Sequence, residues 1–177
     1  MKKAEQIATE AHKGQFRYDK KTPFIEHPRA VAESFNDPDR KIIAWLHDVA
    51  EDTDVSLDDL AHMGFRMHII SALKVLTKDK NETYLNYLLR VKQNELAKDV
   101  KLADLEHNKS TSPGRHQQDK YALAQYILRE SSLLKALQKI ERIYIAGGEP
   151  SKGDLFTLIQ AMKATARLAI GGKNEER

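Results

Sequence analysis

Apolar positions recur along the chain at helical spacing, interrupted by polar breaks, and no stretch alternates with the period of two that a half-buried strand would show. The pattern predicts an all-α protein. A first helix is expected over Lys2–His12, with Ile7, Ala8 and Ala11 on one side. Residues 13–26 read as a polar, basic loop with Gly14 and Pro23. Pro28 suits a helical first turn, so His27 should stand at or just before the start of a helix reaching about Phe35. Beyond the break Asn36–Asp39, the run Ile42, Ile43, Trp45, Leu46, Val49 and Ala50 is apolar on most sides and predicts one central buried helix. Ser56, with Asp59 three residues on, predicts a capped short helix ended by Gly64. Helices follow over Met67–Leu76, Glu82–Lys98 and Asp99–Asn108, then a polar loop over Ser110–Gln118. Tyr121–Ile145 should hold two helices split near Glu130–Ser131, Gly147–Pro150 a stop, and Ser151–Ala169 a last amphipathic helix. The expected organisation is a core over 1–130, C-terminal helices over 131–170 packed on the same domain, and a flexible tail over 171–177.

Composition narrows the chemistry. The chain has 177 residues and a formal net charge of +3. That size suits one domain, and the small, dispersed charge argues against a nucleic-acid partner. With no cysteine, disulfide scaffolds, thiolate metal sites and thiol nucleophiles are excluded. Apolar runs fall far short of the roughly 20 residues of a membrane span. The start Met1-Lys2-Lys3-Ala4-Glu5 leads into Glu10 and His12 without the apolar segment of a secretion signal, so a cytoplasmic protein without a membrane partner is expected.

Candidate chemistry lies where polar residues interrupt apolar helices. His47 and Asp48 sit inside Ile42–Ala50, and Asp104 inside Val100–Leu105. Burying such groups costs several kcal/mol unless they are paired or bind a metal. His27, at a helix entrance, completes an ordered set. Any one of these residues alone would suit a hydrogen-bonded core histidine or an aspartate paired with Arg or Lys; a divalent cation would satisfy all four. Two nitrogens and two carboxylates suit Mn²⁺ or Fe²⁺ better than Mg²⁺ or tetrahedral Zn²⁺. Glu51 and Asp52 follow His47 and Asp48 by one helical turn. There they could reach water at the ion and act as general acid or base; the alternative is a solvated helix end. Lys13 and Arg17 in the basic loop could neutralise a pyrophosphate, whereas Lys20 and Lys21 suit a solvated loop. Asn108, on the face of Asp104, could reach a ligand, and Tyr121 could stack or hydrogen-bond.

Four segments, Ala11-His12-Lys13-Gly14-Gln15-Phe16-Arg17, Thr22–Pro28, Leu46-His47-Asp48-Val49-Ala50-Glu51-Asp52-Thr53 and Val100–Asp104 with Asn108, resemble in order and spacing the HD-domain hydrolases of the RelA/SpoT type, particularly the stand-alone small alarmone hydrolases. The resemblance covers about residues 1–130. It implies an all-α HD-domain helical bundle holding one Mn²⁺ at His27, His47, Asp48 and Asp104. It further implies removal of the 3′-pyrophosphate from (p)ppGpp, with Glu51 and Asp52 activating water. Lys13, Arg17, Asn108 and Tyr121 would contact the guanine nucleotide. Leu105-Glu106 departs from the family pattern, which often carries a base there. Other expected readings are a nucleotidase using the same metal site and a nucleotide sensor without turnover. The C-terminal stripe Leu155, Leu158, Ile159, Met162 and Thr165 suits either completion of the core or a homo-oligomer face.

Overall fold

A computed structural model describes residues 1–111 and 114–129. The chain divides into two compact units, Met1–Thr111 and Ser112–Arg177. In the first, α1 (Lys2–Ala11) and α2 (Glu26–Glu33) precede α3 (Pro38–Leu46), the one-turn α4 (Val49–Asp52) and α5 (Leu57–His62). Then come α6 (Met67–Leu76), α7 (Tyr84–Lys92) and the long α8 (Glu95–Thr111). In the second unit, α9 spans Arg115–Arg129 and buries Leu123, Ala124, Ile127 and Leu128. No strand occurs among the described residues; a single bridge pairs Phe16 with Pro23. The expected all-α class therefore holds.

The central element is α3, which packs on α1, α2, α6 and α8, while α8 also touches α2, α6 and α7. Ile43, Ala44, Trp45 and Leu46 on α3 are buried, as are Ala97, Val100 and Leu105 on α8. The start of α3 is capped by Asp37, whose side chain accepts from the Arg40 amide, and Pro38 stands at the first helical turn. Arg40 then bridges to α8: its Nε and Nη2 donate to Asp99 Oδ2 at 2.9 and 2.8 Å. Two helices that carry polar residues into the core are thus tied together.

The structure differs from the sequence expectation at instructive places. The helix expected through Ala50 stops at Leu46, with His47 and Asp48 in a turn before α4. The cause is the His47 ring, whose Nδ1 donates to the Ala44 carbonyl at 2.7 Å. A continuous helix would give that carbonyl to the Asp48 amide. The boundary expected at Lys98–Asp99 lies at Gln93–Asn94 instead. There the Asn94 side chain accepts from the Ala97 amide at 3.0 Å and starts α8. His27 stands at the start of α2 as expected, one residue inside it, because Pro28 needs no amide partner within the first turn. Helix α8 continues to Thr111 and α9 begins at Arg115, inside the expected 110–118 loop, with the Ser110 and Thr111 hydroxyls bonded back to the His107 carbonyl. The expected elements from 131 to 177 lie outside the described residues.

Ser56 caps α5 as expected, and the reciprocal box with Asp59 is complete. The turn at Gly64, with φ of +87°, closes that helix. Ser56→Ala is expected to cost about 1 kcal/mol. Urea unfolding should show a lower midpoint with an unchanged slope. An unchanged midpoint would show that the cap contributes nothing.

Candidate metal and hydrolytic site

Three elements converge on one buried polar cluster. His27 comes from the first turn of α2, His47 and Asp48 from the turn after α3, and Asp104 from the middle of α8. His27, His47 and Asp104 are each less than 5% exposed. Their ligand atoms all lie within 4.8 Å of one another. His27 Nε2 is 3.0 Å from Asp104 Oδ1 and 3.6 Å from Asp48 Oδ2. His47 Nε2 is 3.3 Å from Asp48 Oδ2 and 3.9 Å from Asp104 Oδ1.

The hydrogen bonds fix what these rings can offer. A carbonyl only accepts, so the contact of His47 Nδ1 with Ala44 places a proton on Nδ1. In the neutral ring, Nε2 then presents a lone pair to two carboxylates. That atom is buried and has no hydrogen-bond partner. Acceptors facing acceptors are costly in a core, and a cation removes the conflict. Without one, a proton supplies the charge: burial opposes it, but Asp48 and then Asp104 outweigh burial and raise His47 to about 9. The donor set therefore fits a metal ion that His27, His47 and Asp104 could hold.

A surrounding layer orients these groups. Burial works to raise the Asp104 carboxyl, but Lys101 and the two imidazoles outweigh it and hold it well below the usual range. Lys101 Nζ donates to Asp104 Oδ2 at 2.7 Å, and Asn108 Nδ2 donates to Oδ1 at 2.5 Å. Asn108 Oδ1 in turn accepts from Arg17 Nη2 at 2.8 Å, and the same nitrogen donates to Thr111 Oγ1 at 3.2 Å. His27 Nδ1 lies 2.7 Å from His107 Nδ1. Burial, then the charge of His27, lowers the basicity of His107, which favours a neutral ring able to accept from His27.

No family model matches the sequence. Among solved structures, similarity extends to a metazoan ortholog of SpoT, a protein that hydrolyses ppGpp and plays a role in starvation responses. The identity is 25%, the match covers 83% of this chain and 94% of that chain, and the TM-score is 0.60. The chain thus resembles that SpoT ortholog in fold. With the buried cluster, this agrees with the HD-type architecture expected from the motifs.

The other residues singled out in the sequence fall in different places. Arg17 and Asn108 come together beside Asp104. Lys13 is exposed and pairs with Glu10 at 3.3 Å, and Tyr121 lies on α9 in the second unit. Glu51 and Asp52 stand on α4 at the surface. Partial burial is the leading cause that pushes both carboxyls up, and the charge of Asp48 adds to it in each. Glu51 accepts weakly from the Lys78 amide at 3.4 Å. Lys78 also borders a cavity of about 620 Å³ lined by Lys74, Thr77, Asp79, Glu82 and Arg90. Glu106 is exposed on α8.

Three residues escaped the sequence reading. Lys101 and His107 flank Asp104 at i−3 and i+3 on one helix, a spacing that could have revealed them. His12 gave less signal. It is buried, its Nδ1 is bonded to Gln15 Oε1 at 2.8 Å, and Gln15 Nε2 donates to the Asp52 carbonyl at 3.1 Å. That brace joins the basic loop to α4 across 37 positions of sequence. Among the described residues, no helix is long and apolar enough to cross a membrane.

Proposed function

We propose that this chain is a cytoplasmic, metal-dependent phosphohydrolase that removes the 3′-pyrophosphate of (p)ppGpp, with Mn²⁺ held by His27, His47, Asp48 and Asp104. The observation that carries the proposal is the buried His47 Nε2, which has no hydrogen-bond partner and faces carboxylate oxygens of Asp48 at 3.3 Å and Asp104 at 3.9 Å. Similarity to a SpoT ortholog that hydrolyses ppGpp supports the choice of substrate.

The ion would supply a Lewis acid and a lowered water pKa. The protein side chains do the rest. Glu51 or Asp52 takes a proton from water as its oxygen bonds to the phosphorus attached to the ribose 3′ oxygen. The P–O3′ bond breaks and the ribose oxygen receives a proton. Free pyrophosphate and GDP or GTP leave. Arg17, held by Asn108 and Thr111, offers a fixed guanidinium to the nucleotide. Lys13 adds charge at the loop.

Incubation with ppGpp and Mn²⁺, followed by chromatography, is expected to yield GDP and pyrophosphate in equal amounts. No product from metal-loaded protein would overturn the proposal, and tight ppGpp binding without product would identify a sensor. Faster turnover of nucleoside monophosphates would identify a nucleotidase.

A further inference from the structure

Lys101 is a mostly buried cation that the hydrolytic steps leave unused. It precedes Asp104 by one turn on α8, so the two side chains share a face. Its ammonium donates to Asp104 Oδ2 at 2.7 Å and lies 5.5 Å from the centre of the Tyr87 ring. Tyr87 is itself buried, with its hydroxyl donating to the Leu76 carbonyl at 2.8 Å. That ring packs against the lysine head on a fixed support. The other carboxylate oxygen has different neighbours. Oδ1 accepts from Asn108 and faces His27 Nε2 at 3.0 Å and His47 Nε2 at 3.9 Å. The two oxygens of one aspartate are thus assigned separately.

We infer that Lys101 is a positioning residue that makes Asp104 a one-oxygen ligand, withholding Oδ2 while Oδ1 is offered to the cation. The inference rests on the hydrolytic reading above and says how that site keeps room for water. Carboxylates bind cations through one oxygen or two. Two imidazoles, Asp48 and one oxygen of Asp104 use four positions of an octahedral ion. A second oxygen from Asp104 would take a position that water or a phosphate oxygen needs. An ion pair that served burial alone would have no bearing on this count.

The test compares the full-length wild type with Lys101→Met and Lys101→Arg. Bound Mn²⁺ is counted, and its water ligands are read from line broadening of the electron paramagnetic resonance in ¹⁷O-enriched water. Lys101→Met is expected to keep one ion per chain but hold fewer waters. Its kcat on ppGpp should fall at least about tenfold, the lower range for changes around a metal ligand, with KM changing less. Lys101→Arg, which can still donate to Oδ2, should restore both the water count and kcat. A wild-type water count in Lys101→Met would overturn the inference. So would complete loss of the ion, which would mean that Lys101 holds the ligand in place and does not select its oxygen. If the methionine variant does not fold, Lys101→Leu, which likewise has no donor for Oδ2, carries the same expectation and the same two failures. A wild type that binds no Mn²⁺ or leaves ppGpp intact overturns the hydrolytic reading and this inference with it. A wild type that does both, beside variants with unchanged water, overturns the inference alone.

Discussion

Asp48→Ala should abolish metal retention and turnover together while the protein stays folded. Asp48 is the accessible member of the cluster, its side chain 22% exposed, and its loss leaves no buried cation without a partner. Residues that only orient metal ligands cost about 10–100-fold in affinity when replaced. Removing a direct carboxylate ligand should therefore exceed about 100-fold. Asp104→Ala is a less clean variant. It strands Lys101, and an unpaired buried charge costs about 3–5 kcal/mol. Asp104→Asn keeps the shape and a hydrogen-bond acceptor for Lys101, and it should also lose the ion. Elemental analysis of purified variants, paired with the rate of GDP release, reads both effects. Wild-type metal content in Asp48→Ala would remove Asp48 from the ligand set.

Glu51→Gln and Asp52→Asn should do the opposite, keeping the ion and losing turnover. A positioned general base contributes about 10²–10⁴-fold, and at least one of the two variants should fall by that factor. The pH dependence separates them. Burial first, then repulsion from Asp48, raises Asp52 above 3.8; burial is likewise the leading cause that raises Glu51 above 4.5. A base works when ionised, so activity should rise with pH through the raised value and be lost as pH falls through it. The acid limb of kcat/KM should therefore lie above the ordinary value of the carboxyl that acts as base. The variant that lacks the base should lose that limb. If both variants keep full activity and the same limb, neither carboxylate takes the proton.

Much of the architecture was legible in the sequence because helical burial leaves a periodic trace. The Met67–Leu76 helix and the Ser56–Asp59 cap were expected from residue spacing alone and are present as expected. Two of the boundary misses share one cause, since each depends on a side chain competing with the backbone for a hydrogen bond. His47 takes the Ala44 carbonyl and ends α3, and Asn94 takes the Ala97 amide and starts α8. Periodicity does not register such choices, because they turn on rotamers.

For the site, the sequence alone supplied the inventory: two imidazoles and two carboxylates, with His47, Asp48 and Asp104 set into apolar runs where an unpaired polar group is costly, and a trailing acidic pair at a helix end. Only the tertiary structure decided how these groups face one another. It brought His27 Nε2 and Asp104 Oδ1, 77 positions apart, to 3.0 Å, gave one oxygen of Asp104 to Lys101, and set His107 behind His27. The reason is geometric. Spacing along a helix fixes which residues share its face, whereas contacts between helices depend on how α2, α3 and α8 pack against one another.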